Sequence, residues 1–176
     1  LGKSDPSCFE LAKKIGLDGV QVNLGSLGNE MHLLRPDVQK AYLEAARRTG
    51  MGIGSLAIGE MNNVPLKSDP RAARWLAESI DVCQAMKIPI VMPACFYKGD
   101  LDLNRTQEID RLVGVLKDVA PKAEKAGVAI GLESYLSAKD TMTIIQRVGS
   151  PVMKMYYDVG NSTDKGYDIY REIPLL

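Results

Sequence analysis

The feature of this sequence that most limits its fold is a regular alternation of two kinds of segment. Amphipathic stretches with helical spacing are separated by short apolar runs, with brief turns between them. Both faces of each run are apolar, which is typical of parallel strands covered by helices. The alternation predicts a parallel α/β fold with right-handed crossovers. The predicted strands are residues 20–24, 53–58, 88–92, 128–132 and 153–157.

Capping and stop residues mark the predicted helices. Pro6 follows the capping residues of the first helix, whose apolar stripe includes Cys8 and Ile15 and which stops at Gly16. Pro121 falls inside a long helical pattern and predicts a kink or a division there. The later helices are predicted to begin at Pro36, at Asp69-Pro70, near Ile109, at Ser137 and at Tyr167.

Two architectures fit this alternation, a five-stranded doubly wound sheet and part of a (β/α)8 TIM barrel. A barrel takes roughly 250 residues, or about 31 per unit, so a chain of this length holds about five and a half units. The chain starts on a predicted helix and stops inside another, and it lacks a complete phosphate-cradling glycine motif. We therefore expect residues 1–176 to form a single partial TIM-barrel domain, truncated at both ends.

Composition narrows the classes of partner. The 22 basic and 22 acidic residues give a formal net charge of zero, without the basic excess that nucleic-acid binding needs. No apolar run reaches the 18 residues of a membrane span. Three cysteines without a CxxC pair predict buried, reduced thiols. We expect a small-molecule ligand, no nucleic-acid or membrane partner and a cytoplasmic location. Because the sequence opens on Leu1 rather than on Met, we also expect the natural start to lie upstream.

Acidic residues follow two successive predicted strands, at the edge where parallel α/β proteins place their chemistry. Glu133 follows the run 128–132, and Asp158 follows the run 153–157. Neighbouring strands lie about 4.8 Å apart, so the two carboxylates can share one divalent cation. Oxygen ligands suit Mg²⁺ or Mn²⁺, with Zn²⁺ or Co²⁺ if an imidazole joins them. A strand-end acid can instead cap the next helix, and this interpretation stays open.

Polar residues after the earlier strands are candidates for substrate binding. Glu60, Asn62 and Asn63 follow the run 53–58 and would face the same mouth in a barrel, although a solvated loop is the competing interpretation. His32 is the only histidine and lies in the loop after the run 20–24. It is predicted either to bind substrate at the mouth or to lie on the loop surface.

Two segments carry a family resemblance. Residues 131–134, Gly-Leu-Glu-Ser, and residues 150–161, which end in Asp-Val-Gly-Asn, resemble the xylose isomerase-like TIM-barrel superfamily. That group contains sugar and sugar-phosphate isomerases and epimerases and the family 2 AP endonucleases. Residues 11–21 resemble its first-helix signature. The resemblance implies that the predicted strands are numbers two to six of an eight-stranded barrel.

The resemblance also implies a metal site. In that family a Glu ending strand five, an Asp ending strand six, a His from strand seven and a Glu from strand eight hold the metal. Glu133 and Asp158 match the first two, and the others would lie beyond Leu176. With two of four ligands, the chain by itself is expected to be inactive. An open barrel also leaves strand edges that a second copy could cover, so homo-oligomerisation through these edges is an alternative that the sequence leaves undecided.

The implied reaction moves a proton between adjacent carbons of a hydroxy-carbonyl compound through a metal-stabilised enediolate. Glu133 would be both ligand and catalytic base, and Asp158 chiefly a ligand. Asn161, where some relatives have His, would bind a substrate oxygen, and Glu60 and His32 complete the predicted substrate-binding set. Two alternatives stay open. A metal-dependent AP-endonuclease-like phosphodiesterase is disfavoured by the single histidine and zero net charge, and a non-catalytic barrel is the other.

Overall fold

The five strands form one parallel sheet in which spatial order equals chain order. The structure is a computed structural model that describes residues 4–176. Each strand pairs in parallel with its predecessor. A doubly wound sheet reverses its strand order at a switch point, so the observed order is that of a partial barrel, and the fold prediction is confirmed. The strands are β1 (Gly19–Asn23), β2 (Gly52–Ile58), β3 (Ile90–Cys95), β4 (Ala129–Ser134) and β5 (Met153–Met155).

The helices that follow the strands begin and end at the residues expected from helix chemistry. Pro36 is the first residue of the second helix, which Gly50 ends with a φ of 74°. The Asp69 carboxylate accepts the Arg71 N–H at 2.9 Å and so caps the third helix. The helices are α1 (Cys8–Lys14), α2 (Pro36–Thr49), α3 (Pro70–Met86), α4 (Thr106–Ala126), α5 (Ala138–Val148), α6 (Val159–Asp164) and α7 (Ile169–Glu172). Short 3₁₀ turns span Leu27–Asn29, His32–Leu34, Gly59–Asn62, Tyr97–Gly99 and Ile173–Leu175.

Several predicted boundaries are wrong. Helix α1 begins at Cys8 rather than at Pro6, and Ile15, predicted to lie in its apolar stripe, is 57% exposed after the helix has ended. Strand β3 lies further along the chain than predicted and runs through Pro93. Helix α4 is not divided, because it continues past Pro121.

The C-terminal part differs most from the prediction. Strand β5 has three residues instead of five. The six-residue helix α6, which follows it, was not predicted. The helix predicted from Tyr167 onward is the short α7 followed by a 3₁₀ turn.

The two faces of the sheet have different surroundings. Val22, Leu56 and Ile130 belong to the main hydrophobic core, which they share with buried residues of α1 to α5. Because side chains alternate along a strand, the intervening residues face the opposite, concave side. Cys8, Cys83 and Cys95 are all buried and unpaired, as predicted. Among residues 4–176, no helix is long and apolar enough to cross a bilayer.

A contact across the concave face shows that the sheet is curled. The Gln21 Nε2 on β1 donates a hydrogen bond of 3.1 Å to the hydroxyl of Tyr156, the residue after β5. In a flat sheet, four strand spacings would separate these strands by roughly 19 Å, beyond the reach of two side chains. The five strands therefore curve around an interior, with their carboxyl ends gathered at one mouth.

Candidate active site

Glu133 lies near the end of β4 on the concave face, where its Cα pairs with that of Ala94. The residue is only 8% exposed. Burial, and secondarily the negative charge of Asp158, raise the pKa of Glu133 to about 7. No hydrogen bond from residues 4–176 contributes to stabilising its charged form. This carboxyl group is therefore poised to take up or release a proton near neutral pH.

Asp158 follows β5 and caps α6. Its Oδ1 accepts the N–H groups of Gly160 at 2.7 Å and Asn161 at 3.0 Å. Its Oδ2 accepts the Asn161 side-chain Nδ2 at 3.1 Å. The capping interpretation of the sequence is thus correct, yet the same carboxylate acts electrostatically on Glu133. A carboxylate has about four acceptor positions, so capping leaves one free.

The raised pKa predicts how stability depends on pH in the metal-free protein. The folded-state pKa of Glu133, about 7, lies above its ordinary value of 4.5, so folding favours the protonated form. Its stabilising contribution is complete below about 4.5 and is lost as the pH rises through about 7. Carbon-13 NMR of the labelled carboxyl should show a midpoint near 7. The free energy of unfolding of wild type, measured relative to that of Glu133→Gln, should fall over the same range. A midpoint at 4.5 would contradict the interpretation.

The other predicted site residues lie near the mouth but make different contacts. Asn161 binds Asp158 directly and so helps to orient that carboxylate. Glu60 lies in the 3₁₀ turn after β2, and its Oε1 accepts the Asn63 Nδ2 at 3.4 Å. Asn62 Oδ1 accepts the Phe96 N–H at 3.0 Å and holds the start of the loop after β3.

His32 is not on the loop surface, because it is only 9% exposed. Its Nε2 lies 3.4 Å from the Tyr42 hydroxyl, and its Nδ1 has no hydrogen-bond partner within the described chain. Burial, and then the charge of Arg35, lower the pKa of His32, which favours the neutral ring. Within residues 4–176, no hydrogen bond or ion pair joins His32 to Glu133 or Asp158. Its role in substrate binding stays a prediction.

An apolar cluster on the concave face was missed from the sequence. The ring of one member, Phe96, packs against the ring of Tyr135, with centroids 4.5 Å apart and planes inclined by 51°. The Lys165 Nζ lies over the Tyr135 ring, 4.3 Å from its centre. Side chains alternate between the two faces of a strand. These positions could therefore have been assigned to the concave face once the residues facing the main core were known. The cluster consists of Ala57, Met92, Ala94 and Phe96, with Tyr135 and Tyr156 packed against it.

Lys67 is a buried lysine that the sequence did not reveal. It is 6% exposed, and its Nζ donates to the Asp100 carbonyl oxygen at 2.6 Å. The same Nζ lies 2.7 Å from Glu108 Oε2 on α4. The ammonium group therefore ties the segment before α3 to the loop after β3 and to α4.

The donor set of Glu133 and Asp158 fits a divalent cation. Both residues offer carboxylate oxygens, which Mg²⁺ and Mn²⁺ prefer. A buried carboxylate without hydrogen-bond donors, next to a second negative charge, is a group that a cation would stabilise. Within residues 4–176, no three His, Cys, Asp or Glu side chains are grouped for metal binding. Glu133 and Asp158 are thus candidates for half of the ligand set that the family resemblance implies.

Comparison with known proteins finds a curated sequence relative and solved structures of the same fold. The 2-epi-5-epi-valiolone 7-phosphate 2-epimerase of Actinoplanes sp. is 23% identical over 169 residues, 96% of this chain and 62% of that protein. A D-psicose 3-epimerase crystallised in the presence of D-fructose superposes with a TM-score of 0.79 and 14% identity, over 98% of this chain and 64% of that one. A xylose isomerase-like TIM-barrel protein from Mycobacterium smegmatis in complex with magnesium superposes with a TM-score of 0.68 and 13% identity. The match covers 89% of this chain and 56% of that one.

The chain covers only part of the length of these relatives. The chain spans 62% of the length of the curated relative and 64% of the psicose epimerase. The sequence profile of the xylose isomerase-like TIM barrel matches residues 9–175, nearly the whole chain. The protein therefore belongs to the xylose isomerase-like TIM-barrel family.

Proposed function

We propose that this protein is a divalent-metal-dependent isomerase or epimerase of sugars or sugar phosphates that works by proton transfer beside a carbonyl group. The observation that carries the proposal is the position of Glu133, whose side chain is nearly buried on the concave face near the carboxyl end of β4, where parallel α/β proteins place their chemistry. The charge of Asp158 at the same mouth supports it. The names of the relatives point the same way, since the curated one and the psicose enzyme are epimerases.

Glu133 acts as the base in this proposal. One oxygen of its carboxylate would be available to the metal ion, and the other would accept a proton from a carbon next to a carbonyl group. The apolar cluster that includes Ala94, its neighbour across the sheet, limits access of water to the carboxylate. Protonation of the opposite face of that carbon by a second acid, the role that the family resemblance implies for the Glu of strand eight, gives the epimer. Protonation of the adjacent carbon, with the hydroxyl proton moving between the two oxygens, gives the isomer.

Glu133 and Asp158 would hold a Mg²⁺ or Mn²⁺ ion, which supplies a positive charge near the substrate oxygens. Gly160 and Asn161 fix the orientation of the Asp158 carboxylate through three hydrogen bonds. The magnesium complex of the M. smegmatis protein supports this choice of ion. Because residues 1–176 supply two of the four implied ligands, we expect no activity from them alone.

The substrate class in this proposal is a small polyhydroxylated carbonyl compound. The curated relative is named for a 7-phosphate, whereas the psicose epimerase was crystallised in the presence of an unphosphorylated ketose. Both classes therefore belong in the test. No contact among residues 4–176 favours the phosphodiesterase alternative, and the zero net charge gives no attraction to a nucleic-acid backbone.

The test is solvent exchange during turnover. The whole protein is incubated with ketoses and ketose phosphates in deuterated water containing Mn²⁺, with a chelator-treated sample as control. We expect an epimer or isomer that carries deuterium at the carbon where the proton was moved. Turnover without deuterium would contradict proton transfer through an exchangeable carboxyl group. Absence of turnover across the whole set would contradict the sugar isomerase and epimerase assignment.

A further inference from the structure

Three side chains form a bridge across the interior of the curled sheet. The Gln21 Nε2 on β1 donates to the Ser55 Oγ on β2 at 2.9 Å and to the Tyr156 hydroxyl at 3.1 Å. The Ser55 Oγ and the Tyr156 hydroxyl lie 3.3 Å apart. Both N–H groups of the Gln21 amide are therefore committed, which holds the phenol in one position. We call Gln21, Ser55 and Tyr156 the crossbar.

The ring of Tyr156 occupies space that a glycine leaves open. A Cβ atom on Gly131 would lie 3.0 Å from the Tyr156 Cδ2 and 3.2 Å from its Cβ, closer than ordinary contacts. Gly131 precedes Glu133 by two residues, so both lie on the concave face of β4. The ring therefore covers the position next to Glu133 on the side away from the mouth.

The crossbar separates two parts of the interior. On its mouth side are the Glu133 carboxyl and the apolar cluster of Ala57, Met92, Ala94 and Phe96. Gln21 lies two residues before Asn23 on β1, and Ser55 lies two residues before Ala57 on β2. Asn23 and Ala57 also face the concave side and pair with each other nearer the mouth. A molecule whose reacting carbon lies at Glu133 would thus meet the crossbar with its inner end.

We propose that the crossbar is the floor of the substrate chamber and that Tyr156 sets the length of carbon chain that the chamber admits. This inference rests on the proposed function, because it assigns the inner end of the same site. The ligand is a polyhydroxylated carbonyl compound whose terminal hydroxyl reaches the polar atoms of the crossbar. Tyr156 determines specificity and does not touch the reacting carbon.

The test measures the ratio of kcat/KM values for two substrates, using the whole protein. Tyr156→Leu removes most of the ring and deepens the chamber. The ratio of kcat/KM for a longer ketose over one that is shorter by one carbon should rise about tenfold or more, the discrimination usual for one methylene group. Gly131→Ala pushes the ring into the chamber, so the same ratio should fall. Partial unfolding lowers both rates equally and leaves the ratio unchanged, which separates specificity from a structural role.

The matched control is the neighbouring tyrosine on the other face. The Tyr157 hydroxyl donates to Glu172 Oε2 at 2.7 Å, so Tyr157→Phe also removes a hydrogen-bonded phenol hydroxyl, but outside the chamber. Its ratio should equal that of wild type. If wild type turns over both ketoses and neither Tyr156→Leu nor Gly131→Ala changes the ratio, the inference is overturned and the proposed function stands.

A second measurement covers failure of the proposed function itself. If wild type turns over no ketose, calorimetry gives the ratio of Kd values for the same sugars in wild type and both variants. A change of that ratio in the predicted directions supports the floor without catalysis. An unchanged ratio, or no sugar binding by wild type, overturns it. If Tyr156→Leu does not fold, Gly131→Ala decides the outcome alone.

Discussion

Replacing Glu133 with glutamine should lower kcat by about 10² to 10⁴-fold, the usual contribution of a positioned acid or base. Glutamine has nearly the same size and hydrogen-bonding shape but cannot accept the proton. Because folding already favours the neutral form of this side chain, the variant should be at least as stable as wild type at pH 8. Initial rates and loss of the substrate carbon-bound hydrogen to solvent measure the effect.

The control for this variant is an acidic residue on the surface. Glu44 lies on α2, where its Oε1 is 4.0 Å from the Lys40 Nζ at an exposed position. Glu44→Gln should keep full activity, since exposed ion pairs contribute little. Full activity in Glu133→Gln would show that another group moves the proton and would remove Glu133 from the mechanism.

Replacing Asp158 with asparagine should weaken Mn²⁺ binding by about 100-fold or more, since even residues that only support a metal ligand contribute up to that factor. Asparagine caps helices about as well as aspartate, so the free energy of unfolding should change little. Asp158→Ala should lose the same affinity and, in addition, about 1 kcal/mol of stability from the lost cap. Calorimetric titration with Mn²⁺ and denaturant unfolding of the whole protein separate the two roles.

A second capping aspartate provides the matched control. Asp168 caps α7 by accepting the N–H groups of Tyr170 at 3.1 Å and Arg171 at 3.3 Å. Asp168→Asn makes the same chemical change away from Glu133 and should leave Mn²⁺ affinity as in wild type. If Asp158→Asn also retains that affinity, Asp158 serves only as a cap and the two-ligand site is wrong.

The fold could be predicted because its determinants are local. Residues such as Pro36, Gly50 and Asp69 act within one turn of where they stand, so the helix boundaries they set are visible in the sequence. Apolar runs with two buried faces indicated parallel strands. Their order in the sheet followed from the barrel interpretation and the family resemblance rather than from local patterns, and the observed pairing confirms it.

The errors have physical causes that lie outside local patterns. Ile15 fits the helical stripe, but the helix ends before it and leaves it 57% exposed. Pro93 lacks a backbone N–H and usually marks a strand end or edge, yet β3 continues through it. Short segments such as α6 depend on one capping side chain and have too few residues to show a period.

The candidate site was found only in part for the same reason. Glu133 and Asp158 could be identified because strand ends converge in parallel folds. The contact between Gln21 and Tyr156 spans 135 positions of sequence and depends on how far the sheet curls. The burial of His32 and Lys67 likewise comes from packing between separate elements. Contacts and burial of this kind become visible only in the three-dimensional structure.

The attachment between the loops after β2 and β3 has a consequence for engineering. Asn62 holds the Phe96 N–H, and Lys67 holds the Asp100 carbonyl oxygen, so each loop supplies polar partners that the other needs. Grafting one of these loops from a related enzyme would leave a buried ammonium or an amide hydrogen without its acceptor. Chimeras with altered substrate preference should therefore exchange residues 59–68 and 96–108 together, as one transplantable module.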